Sequence, residues 1–288
     1  MDAVPHPSLC RQYARPVRQE LRQLNQTHGD VVRFSANQVS FISAQAWRDI
    51  YGHGHGQLQK PIVLKDISRA SDIIIANDAD HTRFRKALAH GFSEKAMHQQ
   101  EPSIKVYIDL LIEKLRDVAT SSAKTDMVKW YNLTIFDMIG DLAFGTSFEG
   151  LKNNRLHAWV TTIFSSIKLI VFLRFARQYP ILAKLPMLLL PRKLPKARMK
   201  HRAHVRDMVM RRFNDPDLQG RGHFIDVMQK HKGGPDSLSS EELVTNANVL
   251  IVAGSETTAT LLSGVTYLLL KNPACLRCYR RGPWGVRK

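Results

Sequence analysis

Cysteine is scarce in this 288-residue chain, which has only Cys10, Cys275 and Cys278. Three thiols cannot build a disulfide framework, and the odd count argues against an oxidising compartment. Cys275 and Cys278 make a single C-x-x-C, but no second Cys or His pair follows to complete four zinc ligands, so no metal site is expected there. The N-terminus, "MDAVPHPSLCRQYARPVRQE", lacks the continuous apolar core of a signal peptide or membrane anchor. No unit of roughly 20–50 residues recurs, which excludes a repeat architecture. Acidic residues are missing from two stretches: thirteen Lys/Arg stand against Asp207 alone in 168–212, and six stand against none in 271–288. Those two stretches carry +18 between them, and the rest of the chain, at −1, brings the net charge to +17. A protein that tracks phosphates carries its surplus on a defined face with interleaved aromatics, and neither is legible here, so nucleic acid is not an expected partner.

What is present is enough for a real core, with 44% hydrophobic residues. Residues 1–24 are polar, basic and without clear pattern, and read as an irregular segment. "GDVVRFSANQVSFIS" (29–43) has two β-rich runs around a turn-forming Ser-Ala-Asn, the pattern of a hairpin, and "AQAWRDIYGHG" suits a short helix stopped by glycine. Downstream, helical periodicity dominates. "NDADHTRFRKALAHGF" (77–92) has acids at its start and basic residues after them, the order a helix dipole favours. "EPSIKVYIDLLIEKLRDVA" (101–119) repeats apolar residues at Ile104, Ile108, Leu111 and Leu115, an amphipathic helix beginning near Pro102. "WYNLTIFDMIGDLAFG" (130–145) reads as a more buried helix closed by glycine, and "KARMKHRAHVRDMVMRRF" as a basic helix after a proline-broken apolar stretch.

The last helix is the longest. Ser239 and Glu242 have capping-box spacing, Leu238 and Leu243 can staple the entry, and Asn272-Pro273 ends a run of about 32 residues, roughly 48 Å at 1.5 Å per residue. At its centre stands "AGSETTAT", whose Glu256 is the only charge in "NANVLIVAGSETTATLLSGVTYLLL". Steps of three and four from Leu243 place Gly254 and Thr257 on the apolar stripe. Gly254 lets something bulky approach the backbone, Thr257 and Thr258 can each bond a carbonyl one turn back, and Glu256 sits about 200° round from Gly254. Three readings follow: a core helix with a tolerated glycine, a transmembrane span, or a polar notch built for chemistry. A lone mid-membrane glutamate and the lack of a cationic flank before the run weigh against the span.

"AGSETT" is similar to the central-helix pattern A/G-G-x-D/E-T-T of cytochromes P450, and here the chain resembles the microsomal type of filamentous fungi. "DHTRFRKALAHGFSEKAM" resembles the family helix with W/H-x-x-x-R, here His81 and Arg85. "GDVVRFSANQVSFISAQAWRDIYG" resembles its first hairpin and following helix, and "FDMIGDLAFGTSF" the helix before its substrate lid. The resemblance implies a mainly α fold with a small N-terminal β-hairpin, the N-terminal and central part of the P450 fold, over 25–272, followed by a basic tail at 273–288. It implies a heme cofactor, with Ala253 and Gly254 against the ring leaving room for dioxygen, Thr257 holding oxygen and water, Glu256 delivering protons, and His81 and Arg85 binding a propionate. It implies electrons from NADPH through cytochrome P450 reductase and an apolar small-molecule substrate that is hydroxylated or epoxidised in a fungal toxin or natural-product pathway. It places an intact relative at the face of the endoplasmic reticulum, with 168–212 touching the membrane surface; this chain, showing no anchor, is expected to be cytosolic or peripheral.

The family's F-x-x-G-x-R-x-C cysteine loop and the E-x-x-R helix before it have no counterpart after the central helix. Cys275 and Cys278 lie in "NPACLRCYRRGPWGVRK" without a glycine-rich approach and do not qualify as axial ligands. The expectation is a truncated, inactive chain that cannot enclose heme, against the alternative of a non-catalytic membrane-associated helical protein.

Overall fold

A computed structural model describes residues 16–35, 38–52, 70–121, 124–155, 193–214, 223–229 and 237–281, together with Gly54, Leu58 and Gly234. These residues fall in two compact units. The first holds α1 (Pro16–His28), an antiparallel pair β1 (Val31–Ser35) and β2 (Gln38–Phe41), and α2 (Ala44–Tyr51). The second holds α3 (Asp78–Ala89), a 3-10 turn (His90–Phe92), α4 (Glu94–Thr120), α5 (Met127–Phe144), α6 (Lys193–Asn214), α7 (Phe224–Gln229), α8 (Ser240–Lys271) and α9 (Pro273–Arg281). The architecture is thus mostly helical with a small N-terminal hairpin.

In the first unit the hairpin pairs Val31 with Phe41 and Arg33 with Val39, and its register shifts between Arg33 and Ser35. The stretch from Pro16, read from sequence as irregular, is helical: proline suits a first helical position, and Leu21 and Leu24 give it a sparse apolar side. Buried Asn25 then ties α1 to the hairpin, donating to the Gly29 carbonyl at 3.0 Å and accepting from Ser40 Oγ at 3.1 Å. Gly29 turns the chain at φ 92°, a conformation that favours glycine.

The second unit is organised around α8. Its first half buries Leu243, Val244, Ala247 and Ile251 against Phe136 and Phe144 of α5, Val205 and Val209 of α6, and Ile225 and Met228 of α7. Ser239 caps it in a complete capping box with Glu242. A second cluster joins Trp130 and Leu133 of α5 and Leu151 to Leu111 and Leu115 of α4. α4 begins seven residues earlier than the proline suggested, because Ser93 accepts from the Ala96 amide and starts the helix; Pro102 lies inside it. Of its expected apolar stripe, Ile104, Leu111 and Leu115 are half-buried, whereas Ile108 is 43% exposed. α5 ends as expected at Gly145, in the left-handed region at φ 73°. Asp137 holds the following loop by accepting from the Gly150 and Leu151 amides at 3.0 and 2.8 Å; burial raises its carboxyl pKa, and those amide bonds oppose the rise.

α6 carries a buried cation. Arg212 is 1% exposed and grips Asp226 of α7 through Nε–Oδ1 at 3.0 Å and Nη2–Oδ2 at 2.7 Å. With His201, Val205 and Val209 also buried, one face of α6 belongs to the core, while Arg202, Arg206 and Arg211 stay exposed on its other side; residues 168–192 lie outside the described residues. Breaking a fully desolvated pair costs far more than breaking an exposed one. Asp226→Ala is therefore expected to lower unfolding stability by about 3–5 kcal/mol, and Arg211→Ala, which breaks an exposed pair with Asp207, by less than about 1 kcal/mol, as read from denaturant midpoints.

Candidate active site

Along α8 the motif residues divide between two sides. Ser255 and Ala259 are buried, whereas Ala253 and Thr257 share an exposed side one turn apart, continued by exposed Leu261, Gly264 and Leu268. Thr257 Oγ1 donates to the Ala253 carbonyl at 2.6 Å, the expected back-bond. The second such bond comes from Ser255 Oγ to the Ile251 carbonyl at 2.5 Å; Thr258 makes none. Glu256 is half-buried, and its Oε2 is buried with no hydrogen-bond partner among the described residues.

Gly254 departs from expectation. A Cβ built there would stand 3.0 Å from Ile139 Cδ1 and 3.3 Å from its Cγ1, so the missing side chain makes room for α5. The sequence argument put Gly254 and Thr257 on one notch. Since they are about 60° apart round the helix, a neighbour can cover one and leave the other open, as Ile139 does.

α3 is capped by Asn77, which accepts from the Asp80 amide at 2.8 Å. His81 is half-buried and Arg85 exposed, on the same side of α3, and neither has an ion-pair partner among the described residues. Arg83 between them is fully engaged. Its guanidinium donates to both oxygens of Glu242 at 2.6 and 3.1 Å, to Asp80 at 2.8 Å and to the Ser237 carbonyl at 2.9 Å. Hydrogen bonds to Glu242 and then Asp80 raise the Arg83 pKa further. Burial pushes the Glu242 carboxyl up, but bonds from Arg83 and Ser239 outweigh it and leave the pKa lowered. Two further contacts hold the preceding segment on the same turns of α8: the Ile73 amide donates to Asn246 Oδ1 at 2.9 Å, and Thr245 Oγ1 lies 3.0 Å from the Ser71 carbonyl. Sequence reasoning recognised Glu242 only as a cap and missed Arg83, Thr245 and Asn246. No local signal marks a bond between residues 159 positions apart.

Comparison with known proteins decides the family. The family model for cytochrome P450 matches residues 7–279. The chain belongs to the cytochrome P450 family. It is 46% identical over 258 residues to a trichothecene C-4 hydroxylase of Trichoderma arundinaceum, covering 90% of this chain and 51% of that protein. It is 47% identical over 257 residues to the cytochrome P450 monooxygenase olcB of Penicillium canescens, 89% of this chain and 52% of that one, and 36% identical over 261 residues to the versicolorin B desaturase stcL of Emericella nidulans, 88% and 52%. The chain spans about half the length of the curated relatives it matches.

The family implies heme, and the residues present fit one side of it. A flat apolar ring needs an open wall without bulky side chains, which Ala253 and Gly264 provide beside exposed Leu261 and Leu268. Its carboxylates need cations not already neutralised, which Arg85 provides.

Two outcomes follow from this geometry. Gly254→Val is expected to cost about 1–3 kcal/mol by overpacking against Ile139, and Ile139→Ala in the same chain to recover part of it; simple addition of the two losses in thermal unfolding would contradict the contact. The lowered Glu242 pKa makes its contribution complete above the ordinary glutamate value of 4.5 and lost as pH falls through the folded value. The stability gap between the unsubstituted chain and Glu242→Gln should accordingly be flat above about pH 5 and shrink below pH 4.5, as measured by unfolding across pH.

Proposed function

We propose that these residues form the distal half of a heme-thiolate monooxygenase site that hydroxylates or epoxidises an apolar secondary metabolite in a fungal toxin or natural-product pathway. Residues 25–272 are its partial P450 domain and 273–288 a basic tail. The observation that carries the proposal is that "AGSETT" combines an open Ala253–Thr257 side of α8 with a buried Glu256 oxygen that has no partner among the described residues. The relatives support the substrate class, since two of them are named for oxidation of trichothecene and versicolorin B.

Heme, when bound, supplies the iron that activates dioxygen with electrons from NADPH through cytochrome P450 reductase. The protein's share of the chemistry is positional and protonic. Ala253 keeps the wall low enough for a ring to approach. The Thr257 hydroxyl spends its proton on the Ala253 carbonyl, which leaves its oxygen lone pairs free to hold a water on the open side. Glu256, one residue away, is the proposed relay for protons to that water, through an Oε2 that has no partner among the described residues. Arg85, with His81 one turn before it, binds the anionic edge of the ring. Gly254 contributes by bringing α5 close, which stiffens the helix behind the open side. The endoplasmic reticulum face is the proposed location of the longer protein.

The alternative, a non-catalytic membrane-associated helical protein, draws on α8 itself, which is long and apolar enough to cross a membrane and has only 17% of its most apolar window buried. Against it, the first half of α8 is core, and its first turn holds ion pairs from Glu241 to Arg202 and Arg206 and from Glu242 to Arg83.

Reconstitution tests the proposal. These 288 residues alone offer no cysteine in the F-x-x-G-x-R-x-C setting. They should take up hemin on the open side, give no thiolate-type carbon monoxide difference spectrum and yield no oxygenated product. A form extended by that loop should give the spectrum and, with reductase, product. A thiolate-type spectrum from the 288 residues, or an extended form that takes up no heme, would contradict it.

A further inference from the structure

We propose that Arg83 is a positioning residue that sets the rotation of α3 about its own axis, and thereby where His81 and Arg85 present their charge. The inference rests on the reading of those two residues as anchors for a carboxylated ring. Arg83 stands about 200° round α3 from His81 and about 160° from Arg85, so clamping it turns the other two toward the opposite side. The clamp is a closed network. Asn77 caps α3 and donates from Nδ2 to Asp80 Oδ2 at 3.1 Å, Asp80 Oδ1 accepts from Arg83, and Arg83 donates to both oxygens of Glu242. Glu242 Oε2 also accepts from the Ser239 amide at 2.8 Å. The N-terminal caps of α3 and α8 are therefore one hydrogen-bonded unit, with Arg83 and Glu242 side chains only 19% and 16% exposed. The guanidinium also lies 4.7 Å over the buried Phe84 ring beside it on α3, which restricts the side chain that carries the fork.

The test compares hemin with hemin dimethyl ester, which lacks free carboxylates, in titrations of the 288-residue chain. The unsubstituted chain should prefer hemin by about tenfold or more, as expected of a charge-assisted carboxylate contact, and Arg85→Ala should abolish the preference. Arg83→Ala and Glu242→Gln should each reduce it to about threefold or less. The two substitutions change local charge in opposite senses, so a field effect alone would move the preference in opposite directions, whereas loss of positioning lowers it in both. Hydrogen exchange in α5 reports whether each variant keeps its fold. If Arg83→Ala does not, Glu242→Gln decides, since the Ser239 hydroxyl still caps α8. An unchanged preference in the folded variants, or opposite shifts, overturns the positioning role. A preference that survives Arg85→Ala overturns the underlying site reading instead, and no hemin binding by the unsubstituted chain overturns both.

Discussion

The bond between Arg83 and Glu242 is the constraint on which the arrangement of the second unit turns. A helix as long as α8 has one side to bury and many ways to meet a short neighbour, and hydrophobic packing alone does not select among them. A guanidinium fork on a carboxylate does select, because two parallel N–H···O bonds hold only at one distance and one rotation. The same carboxylate closes the capping box of α8, so the start of the long helix and the seat of α3 are specified together. Asn246 and Thr245, one turn on, extend the joint to the segment before α3.

From that joint the two halves of α8 diverge. The first half is core, surrounded by α5, α6 and α7. The second half keeps α5 on one side, where Gly254 meets Ile139 and Tyr131 bonds Thr266 at 2.7 Å, and leaves the other side open. Thr257 lies at the edge of that division, about 22 Å along the axis from Glu242 at roughly 1.5 Å per residue. The functional reading depends on this asymmetry: a helix buried all round would have no wall to offer, and one exposed all round would have nothing to hold it.

Much of this was legible in the chain. Capping chemistry marked the start of α8 to the residue, Gly145 marked the end of α5, and alternation marked the hairpin. These are local signals, in which the residues that decide the structure are the ones seen together in sequence. The motif singled out Thr257 and Ala253, which the structure places on one exposed side of α8. What could not be read was which neighbour covers which side. Gly254 gave equal licence to a ring and to Ile139, because glycine states only that something is close. Arg83 and Arg212 carried no signal that set them apart from other basic residues, and their burial depends on Glu242 and Asp226, carboxylates whose approach is decided by tertiary packing. Pro102 misplaced the start of α4 because the Ser93 cap specifies the start more strongly than one proline opposes it. The start of α1 was missed because only a few apolar residues mark it.

The account's central claim is that the open Ala253–Thr257 side of α8 is the wall of a heme site. The most direct measurement is an experimental structure of the heme-loaded protein. The account predicts ring atoms in van der Waals contact with Ala253 and Thr257, within about 4 Å, and a ring carboxylate on Arg85. Protein side chains packed on Ala253 and Thr257, with the ring elsewhere, would contradict it.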